Sequence, residues 1–403
     1  MKFNLNQFLL ALSDALDFVE INTLGATSFH SKRVAYIALR LSDFYNLNDK
    51  EKFDLCSFAI LHDNGLSEEK TVNQFEDTPQ NSNMNILEQY TEHCEIGERN
   101  TIGFPFLSEH KNIIKYHHEN YDGTGFYKLK GEEIPLLAQI IALADTVDNI
   151  FHFENPSIEN RDKIINFINE KEEKLYSKEL VKNFNTLAKL PSFWLDLQSN
   201  NLETIVANKI PNFTMNIGLE HLVKLSSVFS TIIDSNSSFT SRHSSGLCEK
   251  VEKMAHYYNF DSEKIMKLII SANLHDLGKL AVANKILDKQ AALTKNEFET
   301  VKCHTYYTRQ ALQKINGFED IVEWASNHHE KLDGNGYPYG FNADELDHEC
   351  RLMTCLDIYQ ALTEDRPYRK GMSHEKTMDI LNEQASKGYI DKDIVADLEK
   401  VFG

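Results

Sequence analysis

His243, the pair His275-Asp276, His304, the pair His328-His329 and Asp357 form a scattered set of imidazoles and carboxylates. His30, His62-Asp63, His93, His117-His118 and Asp145 repeat it. The gaps run 32, 29, 24 and 28 residues in the first set and 32, 31, 24 and 27 in the second. A lone histidine or a lone His-Asp dipeptide carries little information. The same donor types returning in register predict a duplicated metal site assembled from five segments. Neutral imidazoles with a carboxylate able to bridge suit a pair of divalent ions.

Adjacent residues on a helix point roughly 100° apart, so His275 and Asp276 do not easily chelate one ion together. The expected arrangement puts His275 on one ion with His243 and Asp357, and Asp276 as the bridge to a second ion. His304, His328 and His329 then complete that second ion. Two ions roughly 3.5–4 Å apart share a hydroxide and clamp a phosphodiester for in-line attack. Lys279 lies one helical turn beyond Asp276 on the same face. Arg366 and Arg369 follow Asp357 and are candidates for phosphate or guanine contacts, although each reads equally well as a solvated surface charge. Cys94 and Cys303 adjoin predicted ligands, but buried packing is the usual role of a free cysteine, and both stay outside the ligand set.

The elements that carry these donors read as helices. Val34, Ile37, Ala38 and Leu41, like Ile265, Leu268, Ile269 and Ala272, are spaced for one helical face. Strand alternation is scarce, and the predicted class is all-α, with ligands projecting inward from several helices. Asp122–Phe126 (DGTGF) and Asp333–Gly340 (DGNGYPYG) are predicted loops, because such glycine density destabilises a helix. Apolar helical stretches at 5–20 and 217–233 precede each first histidine. Residues 157–189 and 373–402 match in apolar spacing and charge. A period of 213 residues is too long for a solenoid and implies two tandem domains, 1–205 and 206–403. The boundary is expected between Pro191 and Pro211, with Leu195–Ile210 as a connecting helix.

At 403 residues the chain has room for two cores. Its net charge of −19 argues against a nucleic-acid polymer as partner, while leaving room for a small anion at a local cluster of cations. The six cysteines include no CxxC pair, and no secretion signal or membrane span is legible, so a soluble cytoplasmic protein is expected.

His275-Asp276-Leu277-Gly278-Lys279, His328-His329-Glu330, Asp333-Gly334-Asn335-Gly336-Tyr337-Pro338 and Arg366-Pro367-Tyr368-Arg369 together resemble the HD-GYP family of the HD phosphohydrolase superfamily. The resemblance spans nearly all of 239–402. It implies two tandem HD-type helical bundles and a bacterial second-messenger phosphodiesterase that opens a cyclic dinucleotide, cyclic di-GMP or 3′,3′-cyclic GMP-AMP, to the linear product. It also implies two divalent ions per active site, iron or manganese. Carried over position by position, His243, His275, Asp276, His304, His328, His329 and Asp357 are metal ligands. Asp276 and Lys279 are then catalytic, and Lys279, Tyr337, Arg366 and Arg369 contact substrate. Some members hold a third metal through a Glu four residues before the first histidine; Phe239 stands there in this chain, which implies two.

The N-terminal half resembles the same family with departures. Its second candidate site is His30, His62, Asp63, His93, His117, His118 and Asp145. Leu66 takes the lysine position, Gly125-Phe126-Tyr127 replaces the GYP triplet, and the Arg-Pro-Tyr-Arg segment has no counterpart. Ligands without phosphate-binding cations leave this copy as a regulatory, structural or linear-product site. Two alternatives to a diesterase stay open: a cyclic dinucleotide receptor with little turnover, and a general HD nucleotide phosphohydrolase. A second copy of the chain or a signalling protein is a further candidate partner.

Overall fold

The computed structural model describes residues 2–24, 29–67, 92–150, 158–235, 243–365 and 370–403. The chain divides into two compact units, Asn4–Thr214 and Met215–Gly403, the latter joined by Met1–Phe3. Apart from one two-stranded pairing, β1 (Lys2–Asn4) with β2 (Thr214–Asn216), the regular elements among the described residues are helical. The expected all-α architecture is what the structure has. No described helix is long and apolar enough to cross a membrane.

In the first unit α1 (Leu5–Leu24) and α3 (Asp49–Leu61) pack on α2 (His30–Ser42). The predicted stripe Val34, Ile37, Ala38 and Leu41 is fully buried. Asn48 caps α3 through a reciprocal bond with Glu51, which fixes where that helix starts. α4 (Glu92–Asn100) carries His93 and α5 (Leu136–Ile150) carries Asp145, while His117 and His118 lie in a turn between them. α6 (Ile158–Glu170) and α7 (Lys178–Ala188) close the bundle. Leu195–Ile210 is not one connecting helix. It is split between α8 (Pro191–Leu197) and α9 (Leu202–Lys209), both within this unit. The Ser199 hydroxyl accepts from the Asn201 N–H at the break, and such local side-chain bonds compete with helical ones.

The second unit repeats the plan. α10 (Leu219–Ser235) and α11 (His243–Tyr257) pack on α12 (Ser262–Leu274). After the short α13 (Asn284–Leu287), α14 (Lys295–Leu312) packs on α15 (Glu319–Ser326), and α16 (His348–Thr363) packs on α11. α17 (His374–Ser386) and α18 (Lys392–Phe402) match α6 and α7, as the repeat of 157–189 in 373–402 leads one to expect. The core gathers Leu247, Val251, Met254, Leu268, Leu352, Leu356, Leu381 and Leu398.

One junction positions both sites. Each His-Asp pair falls where a helix ends: His62 and His275 are the C-caps of α3 and α12, and a 3-10 turn follows (Asn64–Ser67 or Leu277–Ala281). The glycine in each turn lies against the helix bearing the next histidine. A Cβ at Gly65 would stand 2.1 Å from the His93 carbonyl oxygen, and one at Gly278 2.0 Å from that of His304. Any other residue would push that helix, and its donor, out of the site.

Candidate metal centres

Within the second unit the structure brings all seven predicted C-terminal donors together. His243, His275 and Asp276 form one group, and His304, His328 and His329 the other. Asp276 faces both ways. Its Oδ2 lies 3.2 Å from His275 Nε2, while Oδ1 lies 3.5 Å from His304 Nε2 and 3.9 Å from His328 Nε2. Asp357 Oδ1 is 3.0 Å from His243 Nε2 and 3.9 Å from His275 Nε2.

The first unit assembles its seven candidates in the same way. His30, His62 and Asp63 form one group, while His93, His117 and His118 join Cys94 in the other. Asp63 Oδ2 faces His62 at 3.5 Å, and its Oδ1 is 3.7 Å from both His93 and His117 Nε2. Asp145 Oδ1 is 3.3 Å from His30 Nε2 and 3.6 Å from His62 Nε2.

The backbone aims most of these rings. His62, His117, His275, His304 and His328 each place Nδ1 2.6–2.9 Å from the carbonyl oxygen three residues earlier. A carbonyl only accepts, so Nδ1 carries a proton and donates, and in the neutral ring the Nε2 lone pair is left to point inward. The two leading histidines use carboxylates instead. Asp148 is 2.6 Å from His30 Nδ1, and Glu364 is 3.2 Å from His243 Nδ1. Neither acceptor was in the predicted set. Asp148 lies one helical turn beyond Asp145 and Glu364 two turns beyond Asp357, a spacing that by itself does not set them apart from other carboxylates.

Several buried donor atoms have no hydrogen-bond partner: His62 Nε2, Asp63 Oδ1, His117 Nε2, His118 Nε2, His275 Nε2 and Asp276 Oδ1. Such atoms are costly to bury unsatisfied. A cation at each cluster would satisfy them, and imidazole with carboxylate is a fitting donor set for divalent transition metals. Protonation follows the same division. Burial depresses His304 to about 3 and His329 to about 4, so both stay neutral and able to ligate. Burial also opposes charge on His243, but Asp357 and Glu364 outweigh it and lift the ring to about 9. Asp276 is raised by burial, yet His275 and Lys279 hold it well below the usual carboxylate range.

Lys279 is half-buried with Nζ 2.5 Å from Asp276 Oδ2. It reaches Asp276 across a 3-10 turn rather than along an α-helix. Leu66, its counterpart, is fully buried. The Tyr337 ring sits 4.9 Å from that of His329, and burial keeps its phenol protonated. Glu330 holds this loop by accepting from the N–H groups of Tyr339, Gly340 and Phe341, at 2.7–3.1 Å. Glu119 does the same for Tyr127 and Leu129. Arg366, Arg369 and Phe239 lie outside the described residues. Cys303 is exposed, its Sγ 3.3 Å from the Glu299 carbonyl oxygen. A cavity of about 400 Å³ opens beside His117 and His118, with Lys171 and Tyr176 in its wall.

The HD-domain model matches twice, over residues 21–156 and 227–394, and so covers both clusters. The chain belongs to the HD-domain family. Among HD-domain relatives, it is 27% identical over 399 residues to the 3′3′-cGAMP-specific phosphodiesterase 1 of Vibrio cholerae, covering 97% of this chain and 90% of that one. It is 33% identical to the 3′3′-cGAMP-specific phosphodiesterase 3 of the same organism, over 70% of this chain and 61% of the relative. A cyclic di-GMP phosphodiesterase of Pseudomonas aeruginosa matches at 29% over 41% of this chain and 40% of its own length. The HD fold extends over the whole molecule: a crystal structure of a cyclic GMP-AMP-specific phosphodiesterase from V. cholerae superposes with a TM-score of 0.67 at 24% identity, covering 100% of this chain and 98% of that one.

Proposed function

We propose that this HD-domain protein is a metal-dependent cyclic dinucleotide phosphodiesterase of the HD-GYP type, with its ring-opening site in the C-terminal copy (206–403). One observation carries the assignment to that copy. Lys279 stands beside the bridging carboxylate Asp276, whereas the buried Leu66 takes the corresponding place in the N-terminal copy (1–205).

His243, His275, Asp276 and Asp357 would hold one divalent ion, and Asp276, His304, His328 and His329 a second; iron or manganese suits these imidazole and carboxylate donors. Bound ions supply Lewis acidity toward a phosphodiester and lower the pKa of water. The protein's own groups do the rest. Lys279 offsets charge that develops on the phosphate in the transition state. Tyr337, beside His329, keeps its proton to donate to the substrate. Arg366 and Arg369 follow on the same chain segment as phosphate or base contacts.

The substrate is proposed to be 3′,3′-cyclic GMP-AMP or cyclic di-GMP. The relative that matches nearly the whole chain is named for the first, and relatives named for the second match only shorter segments. The N-terminal copy keeps its donors and has a cavity beside His117 and His118, which supports a ligand-binding, regulatory or linear-product role. A cytoplasmic setting, and pairing with a second copy or a signalling protein, belong to the same proposal. The decisive experiment incubates anaerobically purified protein with cyclic GMP-AMP, cyclic di-GMP and cyclic di-AMP and separates the products. Linear dinucleotide from wild type and none from Asp276→Ala supports the proposal. Tight binding without any product points instead to a receptor.

A further inference from the structure

The two copies differ in a donor that the repeat pattern does not contain. In the N-terminal copy Cys94 follows His93 on α4, is fully buried, and places Sγ 3.4 Å from His93 Nε2. Its sulfur, together with one nitrogen from each of His93, His117 and His118, forms a group whose atoms all lie within 4.8 Å of one another. A tetrahedral ion with bonds of about 2.0–2.3 Å holds its donors roughly 3.3–3.8 Å apart. His93 Nε2 and Cys94 Sγ, although on adjacent residues of one helix, already lie at that spacing, and a contraction of roughly 1 Å brings the other donors to the same centre. His117 Nε2 and His118 Nε2 are buried without hydrogen-bond partners and belong to this group. They point to a ligand independently of the cysteine.

Among the described residues the C-terminal cluster has no such sulfur. Thr305 follows His304, and its hydroxyl donates to the Lys302 carbonyl at 3.1 Å. Cys303 precedes His304 and is exposed. On a helix the residues before and after a histidine point in different directions, which is why two cysteines that both adjoin a donor end in opposite environments.

We propose that Cys94 is a thiolate ligand completing a His93–Cys94–His117–His118 centre, which takes a borderline-soft divalent ion such as zinc and gives the two copies of the repeat different metals. Thiolate with imidazole favours zinc, whereas imidazole with carboxylate accepts manganese or ferrous iron. Binding forms a sulfur–metal bond and releases the thiol proton to solvent. The inference rests on the reading that the N-terminal copy binds metal.

The test uses the full chain, reduced, stripped of metal and loaded with cobalt(II) alone or zinc alone. The wild type should show a near-ultraviolet sulfur-to-cobalt charge-transfer band, and the zinc K-edge spectrum should contain a sulfur shell. Cys94→Ser should lose both, while Cys303→Ser keeps both. Should Cys94→Ser fail to fold, as judged by its circular dichroism, survival of the band in Cys303→Ser with its loss in His117→Ala/His118→Ala supports the proposal, and its survival in the latter overturns it. Cobalt bound at the N-terminal copy without a sulfur band overturns the proposal yet spares the reading of a metal site there. Metal analysis of His275→Ala/Asp276→Ala showing no ion in the N-terminal copy overturns both. A sulfur band that survives Cys94→Ser and vanishes in Cys303→Ser also overturns it.

Discussion

Lys279 Nζ lies 2.5 Å from Asp276 Oδ2, an ion pair between the candidate bridging carboxylate and the cation one turn beyond it. The same place in the other copy holds Leu66, fully buried. The matching clusters therefore differ in what stands at this position, a cation in one and an apolar side chain in the other.

Lys279→Ala is expected to slow hydrolysis while leaving metal content unchanged. A lost charge-assisted contact costs about 1.5–3 kcal/mol, roughly ten- to a hundredfold in rate. Arg366→Ala should behave alike. Steady-state kinetics beside metal analysis checks both, and wild-type rates in the two variants would place the substrate elsewhere.

Asp276→Ala should abolish hydrolysis and release metal from both positions of the C-terminal copy, because each carboxylate oxygen faces a different histidine group. The measurement is metal stoichiometry alongside turnover. Full occupancy at an unchanged rate rules out the bridging role.

His62→Ala/Asp63→Ala should empty the N-terminal copy and leave ring opening largely intact, and His275→Ala/Asp276→Ala should do the reverse. Both variants belong in one assay on cyclic and linear substrates. If the N-terminal variant alone stops ring opening, the active copy is the other one.

The pH dependence of the metal-free and metal-loaded protein should run in opposite directions. His243 is lifted to about 9 by Asp357 and Glu364 against the opposition of burial. A raised histidine contributes stability that is fully present below its unfolded value of 6.5 and is lost as pH rises through about 9. His62, lifted to about 9 by Asp63 and Asp145 against burial, acts in the same sense. Metal needs the neutral ring, so affinity should rise over that interval. Thermal melts of both forms between pH 6.5 and 9, with proton release on metal addition, check this. Parallel trends would count against these histidines as ligands.

Glu330→Ala removes an acceptor shared by three backbone N–H groups of the glycine-rich loop. Leaving them unsatisfied costs about 1–3 kcal/mol and should loosen Tyr337. The expected result is a raised KM with metal content unchanged. A lost metal would mean that Glu330 supports the cluster rather than the loop.

Much of the convergence of histidines and aspartates into two clusters was legible because these donor types recur at matched spacing. The glycines were legible as breaks in helical pattern, although the close approach of Gly65 and Gly278 to the next helix needed coordinates. Asp148 and Glu364 were not picked out, since one carboxylate on a helix face looks like any other until a ring nitrogen is seen opposite it. Cys94 and Cys303 looked equivalent because adjacency in sequence says nothing about direction around a helix. Leu195–Ile210 reads as one helix by its apolar residues, and a hydroxyl–backbone bond at Ser199 accompanies the break.

The five imidazoles tied to a carbonyl three residues back have their aim written into one turn of their own chain. The bond sets each ring's direction within its own turn, while the place of the helix that carries it still rests on packing such as that of Gly278 against His304. Leu66 and the loop of the N-terminal half differ from their C-terminal counterparts, yet its histidines still converge. A repeat built from self-aiming donors is free to change what it binds before it loses the ability to bind.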